Sequence, residues 1–154
     1  MTNDDIWKLR QSLWDYFSLH ADQRLKSFNF FLILSAIVVG AFVNSIKDGN
    51  VHKASAILPL ILSVSSYIFW KLDERTKLMI KYSEKGIKFI EDVFFKGECG
   101  QEGPTCIFNY DDSLKNERLA GGVYSYSNCF NVLFVLFMLI GLVAFVGVLY
   151  IGNL

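Results

Sequence analysis

One pair of side chains in this sequence has the types and spacing that could do chemistry. His20 and Arg24 lie four residues apart, on the same face of a helix. The histidine comes first, however, and no downstream histidine completes the arginine-then-histidine spacing of a metal-independent ribonuclease site. We therefore expect a structural role, in which Arg24 near a membrane surface reaches lipid phosphates, Asp22, or Asp73 and Glu74.

Cysteines form the second candidate site, in a segment rich in glycine. Cys99 and Cys106 have no histidine or third cysteine nearby, so a metal site lacks ligands there. A disulfide requires an oxidising compartment, whereas the charge pattern described below places this segment in the cytosol. We expect two free thiols, and Cys129 as a small packing residue.

No other constellation suggests an enzyme. There is no nucleophile elbow, no phosphate-binding glycine loop and no charged residue within the apolar stretches. The formal net charge of zero gives no basic surplus for binding nucleic acid. The sequence therefore predicts no catalytic residues, no cofactor, no metal and no nucleic-acid partner.

The elements that must position these residues are apolar. Three stretches are almost free of charge, and a helix needs roughly 20 apolar residues to cross a bilayer. They predict transmembrane helices at 27–46, 54–70 and 128–151. The second is short, but Lys53 and Lys71 can snorkel to the headgroups and Trp70 suits the interface. The sequence thus predicts one integral membrane domain over 1–154, with the lipid bilayer as its first partner.

Basic residues predict the orientation. Four lie in 1–26, two in the connection 47–53, nine between Lys71 and Arg118, and none after Tyr150. By the positive-inside rule, 1–26 and 71–127 are cytoplasmic, while the turn at 47–53 and the C-terminus face outside.

Both cytoplasmic segments have a helical period and run unbroken into a span, which predicts an amphipathic stalk. The predicted apolar stripes are Ile6, Leu9, Leu13, Phe17, His20 and Arg24 in the first helix, and Leu72, Met79, Tyr82, Gly86, Phe89 and Val93 in the second. The stripes either bury each other within one protomer or, because two helices make a thin core for so many aromatic residues, promote self-association. Beyond the second helix we expect a short helix from Asp112 or Ser113 to about Ala120, followed by a joint at Gly121 and Gly122.

Within the spans, the polar residues are uncharged, which argues against an ion-coupled transporter. They include Asn29, Ser35, Asn44, Ser63, Ser65, Ser66 and Asn131. Two interpretations remain open: ordinary helix packing, or the lining of a pore made by several copies.

The residues also resemble a known family. Four segments are similar to the RipA-like family of small octameric bacterial membrane proteins. They are Trp14-Asp15-Tyr16-Phe17, the run from His20 to Leu25, the run from Phe28 to Phe31, and Leu72-Asp73-Glu74-Arg75. The match covers about residues 7–95. It implies a ring of eight in the bacterial cytoplasmic membrane. Similar small membrane proteins accompany anti-phage systems, where an oligomeric pore perturbs the membrane.

The sequence as a whole predicts an all-α membrane protein with three transmembrane helices, two of them extended into the cytoplasm as the stalk. We expect a homo-oligomeric, pore-like or membrane-perturbing component. The alternative is a non-conducting scaffold that docks a cytoplasmic protein partner. The expected structural or interface residues are His20, Asp22, Arg24, Asp73, Glu74, Arg75, Tyr82 and Phe89.

Overall fold

A computed structural model describes residues 3–47, 53–94 and 126–151, and all three ranges are helical. Helix α1 spans Asn3–Lys47, a 3₁₀ turn covers Lys53–Ala56, α2 spans Ile57–Phe94 and α3 spans Tyr126–Ile151. The predicted all-α class is confirmed for this part of the chain. The predictions for Cys99, Cys106, the short helix at 112–120 and the joint at Gly121 and Gly122 lie outside the described residues.

Helix α1 is continuous over 45 residues, as its sequence predicts. No glycine or proline interrupts Met1 to Val39. Asp4 and Asp5 lie in the first turn and Lys47 lies in the last, so charges at both ends complement the helix dipole.

Helix α2 is also unbroken, from Ile57 to Phe94. Pro59 is the third residue of the helix. Its missing amide proton costs little there, because the first four amides of a helix have no intrahelical acceptor.

Three of these helices are long and apolar enough to cross a membrane by length and composition. They contain the predicted spans, which indicates a membrane protein. The apolar window of α2 is the most covered, with 33% of its residues buried against 17% in α1 and α3. More of this window is therefore covered within the protomer than of the windows in α1 and α3, most of which are left for contact with the surroundings.

The chain divides into two compact units, described separately below. Unit 1 comprises Met1–Arg24 and Arg75–Tyr124, and unit 2 comprises Leu25–Glu74 and Ser125–Leu154. Unit 2 contains the predicted spans, and unit 1 contains the residues predicted to form the stalk.

The core of unit 2 is a cluster of phenylalanines. Phe31, Phe130 and Phe134 are buried, with Phe28 and Phe137 among the side chains packed against them. The rings of Phe28 and Phe130 stack with centroids 3.8 Å apart, while Phe31 meets Phe137 edge to face at 5.5 Å. The edge-to-face contact is a favourable geometry for an aromatic pair, and the cluster packs without polar contacts between its rings.

Glycine brings α3 close to the start of α2. A Cβ atom placed on Gly141 would lie 2.7 Å from the carbonyl oxygen of Pro59 and 2.9 Å from the amide nitrogen of Ser63. Both neighbours are backbone atoms, which cannot rotate away. Gly141 therefore permits a helix approach that no larger residue allows.

Candidate functional site

The inward face of α1 in unit 1 is close to the predicted stripe, with one correction. Ile6 is buried, while Arg10, Leu13 and Phe17 are partly buried. Leu9, which the sequence placed in the stripe, is exposed. The repeat of four, three and four residues from Ile6 to Phe17 passes through position 10, so the inward residue at that turn is an arginine.

The inward face of α2 differs more from its prediction. Ser83, Ile87, Ile90 and Glu91 are the buried residues of this helix in unit 1. Gly86 also faces α1, where an added Cβ would lie 3.1 Å from Cδ1 of Leu13. Small residues at 83 and 86 let the two helices approach closely at this face.

The predicted α2 stripe is mostly on the outside. Tyr82 is 69% exposed and Phe89 is 65% exposed, and Leu72 and Val93 are exposed as well. The expectation that these aromatic rings bury against the first helix within one protomer is therefore wrong. One side of α2 carries Ser83, Gly86 and Ile87, and it lets α1 approach more closely than two aromatic rings would. The stripe lies on another side of the helix and therefore faces outward.

Ser83 is polar and buried, and its hydroxyl hydrogen-bonds to carbonyl oxygens of its own helix. Its hydroxyl lies 3.1 Å from the carbonyl oxygen of Met79 and 3.0 Å from that of Ile80. Bonding back to the preceding turn satisfies the hydroxyl without a partner from another element.

Glu91 is the unusual group of unit 1. It is 1% exposed, and neither carboxylate oxygen has a hydrogen-bond partner in the described structure. Burial raises the pKa of Glu91, Asp92 raises it further, and the Arg10 guanidinium and Lys88 oppose the shift. The position of Glu91, four residues after Ile87 on the same face of the helix, was the signal in the sequence for its burial.

Arg10 has two roles in this arrangement. Its guanidinium lies over the ring of Trp7, 5.6 Å from the centroid, and its charge acts on the Glu91 carboxylate. The aromatic face stabilises the cation, and the charge of Arg10 opposes the rise in the pKa of Glu91 that burial causes.

Two exposed surfaces lie on the helices that carry Arg10 and Glu91. We call Trp7, Lys8, Trp14 and Asp15 the tryptophan face of α1, and Leu78, Tyr82, Lys85, Phe89 and Val93 the outer stripe of α2. All nine side chains are exposed. Each surface combines large apolar groups with charged ones, the composition typical of protein interaction sites.

His20 makes its contacts within its own helix. Its Nδ1 lies 3.0 Å from Oε1 of Gln23, and its ring packs edge-on against Tyr16 with centroids 4.3 Å apart. These contacts fix the imidazole against its own helix. They agree with a structural role for His20.

The other predicted site residues are divided between the two units. In unit 1, Asp22 and Arg75 are exposed and Arg24 is half-buried. In unit 2, Asp73 is buried and Glu74 accepts a hydrogen bond of 2.9 Å from Lys71, which raises the pKa of that lysine. A bridge from Arg24 to Asp73 or Glu74 would join the two units, and it stays a prediction.

Potential metal ligands do not cluster in the described ranges. No group of three or more histidine, cysteine, aspartate and glutamate side chains occurs within residues 3–47, 53–94 and 126–151. In those ranges, the notable chemistry is the Arg10 and Glu91 pair and the two exposed surfaces on the helices that carry it.

Comparison with known proteins gives one informative relative. No family profile matches the chain, and no solved structure matches it either. The chain is similar to CD-NTase-associated protein 19 of Escherichia coli, with 27% identity over 149 residues. The alignment covers 96% of this chain and 91% of the relative. The similarity thus extends over both units rather than over the apolar helices alone.

Proposed function

We propose that this protein is the subunit of a homo-oligomer in the bacterial cytoplasmic membrane, where it acts as a pore-like or membrane-perturbing component of anti-phage defence. In this proposal the stalk, 1–26 and 71–127, is cytoplasmic, the turn at 47–53 and the C-terminus face outside, and the protein is not an enzyme.

One observation carries the proposal: unit 1 exposes large apolar side chains outside the predicted spans. Trp7 is 53% exposed and Trp14 is 47% exposed on α1, and Tyr82 and Phe89 are more exposed still on α2. Lipid cannot cover them if the stalk lies in the cytoplasm, and a soluble surface rarely presents so many together. Further copies of the chain would cover them, which favours self-association.

The relative supports a role in defence. Its name associates that protein with a CD-NTase, and this association accords with an anti-phage role for the present chain, almost all of which aligns with it. The resemblance to the RipA-like family implies a ring of eight, so we propose eight copies.

The uncharged polar residues of unit 2 give the proposal a chemical basis. Oγ of Ser35 and Oδ1 of Asn131 are buried in the described structure without a hydrogen-bond partner. Such groups are costly in hydrocarbon and favour partners from a neighbouring copy or a water-filled path.

A mass measurement of the detergent-solubilised complex tests assembly. We expect a multiple of 17.6 kDa near eight copies. Replacing Tyr82 and Phe89 with Ser should reduce that mass, whereas Tyr150→Ser, an exposed tyrosine at the end of α3, should leave it unchanged. A monomeric wild type contradicts the proposal.

Ion flux separates the proposed pore from the alternative scaffold. Purified protein in anionic vesicles should release an entrapped ion, and the assembly-deficient Tyr82 and Phe89 variant should not. Silent vesicles containing an intact oligomer would favour the non-conducting scaffold that docks a cytoplasmic protein partner.

Orientation has its own test. Cys99 and Cys106 should react with a membrane-impermeant maleimide only after cells are opened. Labelling in intact spheroplasts would reverse the proposed topology.

A further inference from the structure

Charge is unevenly divided between the exposed surfaces of unit 1. Among its described residues, the exposed charges of α1 are mainly acidic and those of α2 mainly basic: Asp4, Asp5, Asp15, Asp22 and Lys8 on α1, and Arg75, Lys81, Lys85 and Asp92 on α2. The outer surface of one helix thus complements the outer surface of the other. The two surfaces face away from the inward contact of Leu13 with Gly86, so one copy cannot join them.

The packing of unit 1 fixes which residues lie level with each other. Leu13 lies against Gly86, and Arg10 acts on Glu91, so α1 and α2 run antiparallel. In this register Asp15 lies level with Lys85 to within one residue, and Lys8 lies level with Asp92 to within one residue. Both level pairs have opposite charges.

In a ring, α1 and α2 of neighbouring copies have the same register as α1 and α2 within one copy. Copies related by a rotation axis along the helices lie at equal heights, so α2 of one copy meets α1 of the next in the same register. The two surfaces also have matching lengths. The segments from Trp7 to Asp22 and from Leu78 to Val93 are each about 22 Å long, so they can lie side by side over their whole length.

We infer that the outer stripe of α2 docks on the tryptophan face of α1 in a second copy of this chain, with Lys85 paired to Asp15 and Asp92 paired to Lys8. This inference rests on the proposed homo-oligomer and specifies its interface as head to tail, the type that closes into rings. In this register Trp14 lies between the levels of Tyr82 and Phe89. Trp7 lies level with Val93, so the outer stripe supplies the apolar contact and the two ion pairs set the register.

Neither Asp15 nor Lys85 forms a salt bridge with another of the described residues. Asp15 accepts a hydrogen bond of 2.8 Å from Gln11 of its own helix, and Lys85 forms no ion pair in that part of the chain. Both charges are therefore available to a neighbour.

Charge reversal tests the pairing through the mass of the complex in one detergent. Asp15→Lys and Lys85→Asp should each reduce the assembled fraction by about tenfold or more, and the double variant should restore it. Asp15→Lys combined with Arg75→Asp is the matched control, because Arg75 lies ten residues, about 15 Å, from Lys85 and should not rescue.

The outcomes distinguish the interface from the oligomer. A monomeric wild type contradicts the proposed function itself. An oligomeric wild type whose mass survives both single reversals overturns this interface only. Helicity of each variant by circular dichroism shows whether a lost oligomer reflects a lost fold.

A cross-link gives a second measurement that does not depend on stability. In a chain with Cys99, Cys106 and Cys129 replaced by Ala, Asp15→Cys and Lys85→Cys in the same copy should oxidise into a ladder of covalent multimers. Mixing the two single-cysteine variants should give dimers, while either alone should give none. Dimers of Asp15→Cys alone would show a symmetric contact and overturn the head-to-tail arrangement.

Discussion

The two units of this protein expose different kinds of apolar side chain. Among the described residues, the exposed apolar side chains of unit 2 are mainly aliphatic, whereas those of unit 1 are mainly aromatic and include Trp7, Trp14, Tyr82 and Phe89. A bilayer accounts for the apolar exterior of unit 2. Unit 1 has no such explanation if it lies in water, and its exposed aromatic side chains support the proposed self-association. Apolar exposure therefore has a different meaning in each unit.

The largest effect should come from the aromatic core of unit 2. Phe31→Ala removes a fully buried ring and should cost about 2–4 kcal/mol, since packing is lost even where lipid solvates the unfolded spans. Phe30→Ala, on the adjacent exposed ring, should change stability by about 0.5 kcal/mol or less. Thermal unfolding in detergent measures both. Equal losses would contradict the placement of the core.

Close helix packing should give the next effect. Gly141→Ala places a methyl group against backbone atoms of α2 and should destabilise by about 1–3 kcal/mol. Gly147→Ala is the matched control in the same helix, because nothing lies within 4 Å of its added Cβ. A tolerated Gly141→Ala would mean that α3 stands further from α2.

Removing the buried charge of Glu91 should stabilise the protein, whereas the substitutions in unit 2 destabilise it. Glu91→Gln removes a desolvated charge and should stabilise unit 1 by about 1 kcal/mol at neutral pH. Because burial raises the pKa of Glu91, the wild-type penalty is absent below the ordinary carboxyl pKa and complete above the raised one. The advantage of Gln should therefore fade as pH falls through that window.

Hydrogen exchange of amides in 75–94 measures this effect. Glu84→Gln is the control on the same helix: this carboxylate already pairs with Lys88 at 3.1 Å, so removing its charge should give no comparable gain. A Glu91→Gln variant less stable than wild type at neutral pH would show that the carboxylate has a partner that stabilises its charge.

The smallest effect should be at Lys71 and Glu74. Their 2.9 Å ion pair is exposed, and solvent screens it. Lys71→Gln should leave the thermal midpoint unchanged within error, although Lys71 also lies over the Trp70 ring at 4.8 Å. A clear loss of stability would indicate that this lysine is sheltered in the bilayer interface.

Much of the fold could be predicted from composition and period. The lack of charge in three stretches predicted the spans, and the lack of glycine and proline predicted that α1 continues through its span. Which side of α2 faces inward could not be predicted in the same way. Aromatic residues at 82 and 89 and isoleucines at 87 and 90 form two apolar stripes on one helix, and period alone does not select the inward one.

The sequence by itself determined that this chain is helical and apolar enough to span a membrane, because backbone hydrogen bonding and hydrophobic length are local properties. Tertiary structure decided which side of α2 faces α1. Gly86 against Leu13 brings the helices close enough to bury Ser83, Ile87 and Glu91. That choice depends on side-chain volume across two distant segments, and it leaves the aromatic rings of Tyr82 and Phe89 exposed.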